Sequence, residues 1–137
     1  MFRRIIIITI ITLSISAMVF LLYRLSYFNA SFATNVSLRY KYGEKDIYEE
    51  INDPLIIDEL KSILRGLAHP DNPSCGFSID ISITLYDGNN SVTICPALDR
   101  CETMRIGDSN RYFYISENDR RRLDNILKKY GFSFPAI

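Results

Sequence analysis

Nineteen consecutive residues, Ile5 to Tyr23 (IIIITIITLSISAMVFLLY), carry no charge. No other feature of the chain limits its folding as much. At ~1.5 Å rise per residue such a run makes a helix of about 28 Å, close to the ~30 Å hydrocarbon core of a bilayer. The hydroxyls of Thr9, Thr12, Ser14 and Ser16 can bond carbonyls one turn back. Tyr23, Tyr27 and Phe28 stand where an aromatic belt would stand. Arg3 and Arg4 precede the run and Arg24 follows it, which orients the N-terminus toward the cytoplasm. The sequence therefore predicts a cytoplasmic tip at 1–4, a transmembrane anchor at 5–23 bounded by Ile5 and Tyr23, a juxtamembrane linker at 24–34 and an extracytoplasmic domain at 35–137. The expected location is the cell inner membrane, single-pass. The competing reading is a signal peptide cleaved after Ser31-Phe32-Ala33. It is disfavoured because the apolar run exceeds the ~7–15 residues of a signal core.

The remainder has the length of one domain. From residue 30 onward the three N-terminal arginines drop out and the net charge is −3. That balance argues against nucleic acid as a partner. Val36, Leu38, Tyr40 and Tyr42 alternate with Ser37, Arg39 and Lys41, a half-buried strand, and Ile47–Ile51 returns beside it. Asp53-Pro54 opens a helix with a capping carboxylate and a proline in the first turn. Its apolar stripe is Ile56, Leu60, Ile63, Leu64 and Leu67, closed by Gly66 and His69-Pro70. Phe77 to Leu85 alternates as a strand. Asp87-Gly88 reads as its two-residue turn, which pairs Ile83 with Val92 and Ile81 with Ile94. Met104 is expected opposite Phe113 across a four-residue loop. Ser116 to Asp119 resembles a capping box for a final helix carrying Leu123, Ile126, Leu127 and Tyr130, with Gly131 after it. The expected order is β-β-α-β-β-β-β-α, an α+β two-layer domain with an antiparallel sheet and helices on one face.

Three cysteines allow one intramolecular bridge and one free thiol. The hairpin brings Cys75 and Cys101 near one another, so that pair is the first choice. Cys95–Cys101 is the second. Under the first, Cys95 is the free thiol. His69, Asp71 and Cys75 share a loop, but nothing in the sequence orients the histidine, and a thiol-protease reading is rejected. Asp87 to Ser91 starts like a calcium loop and fails at Val92 and Leu98. No metal, cofactor or catalytic set is expected. Arg120-Arg121-Arg122 and Lys128-Lys129 read as the solvent face of the last helix. Nine tyrosines accompany no tryptophan. Tyr112 and Tyr114 should face outward beside Arg111, and aromatic and arginine side chains are favoured interface anchors.

The plan of a basic start, one apolar run and a cysteine-containing α+β domain resembles bacterial immunity-type proteins that neutralise toxins in the periplasm. The ending Lys129-Tyr130-Gly131-Phe132-Ser133-Phe134-Pro135 has the look of a family terminus. The resemblance implies stoichiometric inhibition of another protein outside the cytoplasm and transfers no binding residue. The sequence thus points to a membrane-anchored protein-binding module rather than an enzyme. The alternative is an accessory subunit of a membrane-bound regulator or transporter. A small-ligand sensor would need a pocket between sheet and helices.

Overall fold

The structure, a computed structural model, describes residues 2–134, without the side chains of 2–5 and 23–25. It is an α+β fold. Helix α1 (Phe2–Ser26) leads into a short strand β1 (Tyr27–Asn29) and a single 3-10 turn (Ala30–Phe32). The long hairpin β2 (Asn35–Tyr42) and β3 (Lys45–Ile51) precedes helix α2 (Pro54–Ile63). Two short strands follow, β4 (Arg65–Leu67) and β5 (His69–Pro70). The meander β6 (Ile81–Asp87), β7 (Asn90–Pro96), β8 (Thr103–Ile106) and β9 (Arg111–Tyr114) leads to helix α3 (Glu117–Lys129).

The main sheet is antiparallel in the order β3-β2-β6-β7-β8-β9-β5, and β1 pairs separately with β4. Its inner face carries Val36, Leu38, Tyr40, Ile81, Ile83, Leu85, Ile94, Met104 and Phe113, all essentially without solvent exposure. These pack against Ile57, Leu60, Ile63 and Leu64 from α2 and Leu123, Ile126 and Leu127 from α3. The helix starts are chemically specified. The Asp53 carboxylate accepts from Leu55 N–H, and Ser116 Oγ accepts from Asp119 N–H.

Among the described residues no helix is long and apolar enough to cross a membrane. This overturns the anchor expected at 5–23, and with it the inner-membrane location and the division into cytoplasmic and extracytoplasmic parts. The expectation counted Ile5 and Tyr23, whose side chains lie outside the described ones. The described side chains of α1 run from Ile6 to Leu22. The run is also punctuated by hydroxyls. Thr12 Oγ1 donates to the Ile8 and Thr9 carbonyls, and Ser14 Oγ to that of Ile10.

The expected linker at 24–34 is partly core. Ala30 and Ala33 are 0% exposed, and Phe28 stacks on Phe113 at 4.8 Å between centroids. Helix α2 stops at Ile63, one turn before the expected end. Arg65–Leu67 is drawn off to pair with Tyr27–Asn29, leaving Leu67 47% exposed. Gly66 does not cap the helix. A Cβ there would meet the Tyr114 carbonyl at 3.0 Å and Phe113 Cδ2 at 3.1 Å, so glycine permits a close approach to β9.

The β6–β7 register also differs from expectation. Ile83 faces Ile94, Leu85 faces Val92, and Asp87 faces Asn90. Gly88 has φ +55° and occupies the first central position of the turn, where a type II′ hairpin places glycine. The slip of two residues keeps every side chain on its expected face. Phe77 to Asp80 is not strand. Ser78 Oγ accepts from Asp80 N–H and the Ser78 carbonyl from Ile81 N–H, which curls this segment before β6 begins.

Candidate functional site

Directly opposed residues in an antiparallel pair point to the same face. The sheet face away from α2 and α3 therefore carries Asp46, Tyr48 and Glu50 from β3, Ser37, Arg39 and Lys41 from β2, and Ser82, Thr84 and Tyr86 from β6. Farther along it carries Thr93, Cys95, Arg105 and Tyr112.

Two halves of this face are treated differently. The segment 71–80 lies over the β7–β9 half. Phe77 packs on Tyr112 at 5.3 Å between centroids, and the Arg105 guanidinium sits 5.7 Å from the Phe77 ring centre. A disulfide between Cys75 and Cys101 ties that segment down. Cys95 lies beneath it as a free, buried thiol. Burial pushes the Cys95 thiol upward in pKa, against the opposing influence of Arg105. Toward the β3 edge the face is open, while Ser37 and Ser82 at its floor are buried. Tyr48 is 60% exposed, its hydroxyl donates to Glu50 at 3.3 Å, and Arg39 lies 3.7 Å from Asp80. Burial, with Glu50 and Tyr48 nearby, raises the Tyr86 pKa.

The sequence-predicted interface is split by this arrangement. Arg111 is exposed and Tyr114 is 48% exposed, but Tyr112 is only 9% exposed because Phe77 covers it. Tyr114 has a local role. Its hydroxyl donates to Asp71 Oδ2 at 2.6 Å, and its ring stacks on His69 at 5.3 Å. His69 Nδ1 lies 3.1 Å from the Leu67 carbonyl and Nε2 lies 3.6 Å from Asp71, so the histidine is oriented after all. Cys75, the nucleophile a thiol-protease reading would need, is consumed in the disulfide. Asp99 approaches the same two sulfurs. The carboxylate Asp71 is held below the usual range chiefly by the Tyr114 hydroxyl.

Sequence reasoning misplaced one arginine. Arg120 belongs to the expected solvent face of α3, yet it is 3% exposed. Its guanidinium donates to Asp124 at 3.0 Å, the Cys101 carbonyl at 3.1 Å and the Ala97 carbonyl at 3.0 Å. Phe134 stacks over it at 5.0 Å. Sequence reasoning also gave no sign of a cavity of about 220 Å³ between the β1–β4 pair and the sheet. Phe28, Ala68, Val92, Ile106 and Arg111 contribute to its wall.

These features define a class by architecture: a two-layer α+β domain with one sheet face half covered by a disulfide-tied loop and half open. Comparison of the chain with family models, with curated proteins and with solved structures finds no match.

Proposed function

We propose that this chain is a protein-binding module whose contact surface is the open half of the outer sheet face. The observation that carries the reading is the exposure of Tyr48 beside Arg39 and Tyr86, on a sheet whose other face is packed through Val36, Leu38, Ile83 and Leu85 of β2 and β6. Tyrosine and arginine are enriched in binding hot spots. A rigid sheet also presents them without the entropy cost of ordering a loop. A module of this kind acts by occupancy, covering a surface of its partner, as an inhibitor of the immunity type would.

The test is site-specific photo-cross-linking in the full chain. A photoreactive residue at position 48 should capture one partner stoichiometrically. The same residue at Leu55, which is 79% exposed on α2, should not capture it. Arg39→Ala should weaken the capture from position 48. Equal labelling from both positions would overturn the reading.

The cavity beside Arg111 favours a second reading, a sensor of small amphipathic anions. Apolar walls and one guanidinium suit a carboxylate with a short apolar body. Thermal stabilisation by such acids, lost in Arg111→Ala, would support it.

A further inference from the structure

Strand β3 is an edge of the main sheet. The Lys41 N–H donates to the Asp80 carbonyl, so the odd-numbered residues of β2 direct their backbone toward β6. The even-numbered residues then bond β3, through Lys45, Ile47, Glu49 and Ile51. The N–H and C=O groups of Asp46, Tyr48 and Glu50 consequently point to the open edge. The opposite edge of the sheet is the two-residue strand β5, too short to template a partner.

The charge along β3 and the turn that precedes it is lopsided. Glu44, Asp46, Glu49 and Glu50 stand against Lys45 alone, and all are exposed. Natural edges use charge to prevent pairing with themselves. Antiparallel pairing of two β3 strands centred on Tyr48 would place Asp46 opposite Glu50 of the second copy at both ends. Like charges directly opposite one another destabilise a pair. The same acids favour a strand bearing lysine or arginine at alternate positions.

Resting on the protein-binding reading above, we infer that β3 accepts an extended, basic segment of the partner as an added strand. Main-chain bonds to Asp46, Tyr48 and Glu50 supply the affinity, and ion pairs to Asp46 and Glu50 set the register. Tyr48, between them on the same face, covers the aliphatic stem of the partner's central basic side chain.

The experiment uses the full chain and a synthetic peptide alternating lysine with valine. Binding should slow hydrogen exchange at the amides of Asp46, Tyr48 and Glu50 and weaken as salt is raised. Tyr48→Pro removes one outward N–H from an edge position where proline is tolerated. It should reduce peptide affinity by about tenfold or more. Tyr48→Ala keeps that N–H and should retain most of the protection pattern. Equal affinity of the Pro and Ala variants would overturn strand addition. Equal affinity for a peptide with glutamate in place of lysine would overturn the charge argument, and pairing of β3 with a second copy would overturn the choice of occupant. If Tyr48→Pro loses the peptide but a photoreactive residue placed at position 46 in that variant still captures the partner, strand addition to that partner fails and the protein-binding reading stands. If the peptide binds as described but no partner is captured, the protein-binding reading fails and the edge chemistry stands.

Discussion

Arg120 is the first of a basic run on an amphipathic helix, and its neighbours Arg121 and Arg122 do reach solvent or surface carboxylates. What separates it from them is distant in sequence: the Ala97 and Cys101 carbonyls, brought under α3 by the chain leaving β7. No periodicity could show that. Burial pulls its pKa down while Asp124 opposes the shift. Removing the guanidinium leaves a largely buried carboxylate and two carbonyls without their donor, so Arg120→Ala should cost about 3–5 kcal/mol in chemical denaturation. Lysine should rescue little, because it cannot reproduce the fork. The Tyr114–Asp71 bond gives a test with a defined sign. Folding lowers the Asp71 pKa, so its contribution is present above the unfolded value and is lost as pH falls through the folded one. Folding raises the Tyr114 pKa, so that contribution is lost as pH rises through its own titration. Tyr114→Phe should move Asp71 upward toward its ordinary value of 3.8, read from its carboxyl carbon by NMR.

At the scale of elements, the local signals were legible wherever a turn residue and an alternating pattern agreed. The β2–β3 alternation, the Asp53 and Ser116 caps and the Met104–Phe113 pairing can all be read from the chain. The end of α2 could not, because Leu67 fits a helical stripe as well as a strand. The deciding contact is with Tyr27, some forty residues earlier. The β6–β7 slip shows the limit from the other side. Face and register are separate facts, and alternation fixes only the first. The stretch 77–80 departs from the expected strand for a similar reason, since Phe77 and Ile79 continue the alternation of β6 but Phe77 instead folds over Tyr112. The Cys75–Cys101 bridge, whose ends are separated by 26 positions in sequence, holds that cover in place. A bridge closing a loop of this size contributes about 3.5 kcal/mol in the chain-entropy account. Cys75→Ala with Cys101→Ala should lower stability by that order. Cys95 should then alkylate faster in the native state, as its cover loosens. Alkylation at the wild-type rate would show that Phe77 and Arg105 hold the segment without the bridge.

For the whole molecule, the boundary between the apolar head and the folded domain is the point on which sequence and structure part. Composition changes sharply at Arg24, and that change invites a linker. The structure instead runs the core back through Ala33, Ala30 and Phe28, because small residues there fit beneath the sheet end and Phe28 fits against Phe113. The described side chains of α1 differ in kind. Ile8, Leu13 and Met18 are each more than 60% exposed. An apolar surface that continuous exceeds what monomeric proteins leave uncovered in water. Two truncations separate these roles. A chain beginning at Tyr27 keeps β1 and both core alanines and loses the exposed head together with the bond from the Ala68 N–H to the Ser26 carbonyl. It should retain its cooperative unfolding and behave as a monomer in light scattering, while the full chain associates in aqueous buffer. A chain beginning at Thr34 loses β1, the partner of β4, together with the Phe28 ring that covers Phe113. It should fall in stability by more than ~3 kcal/mol, the scale of deleting one buried aromatic side chain. If both truncations are equally stable, residues 27–33 are only tethered to the domain, and Ala30, Ala33 and Phe28 contribute nothing to its core.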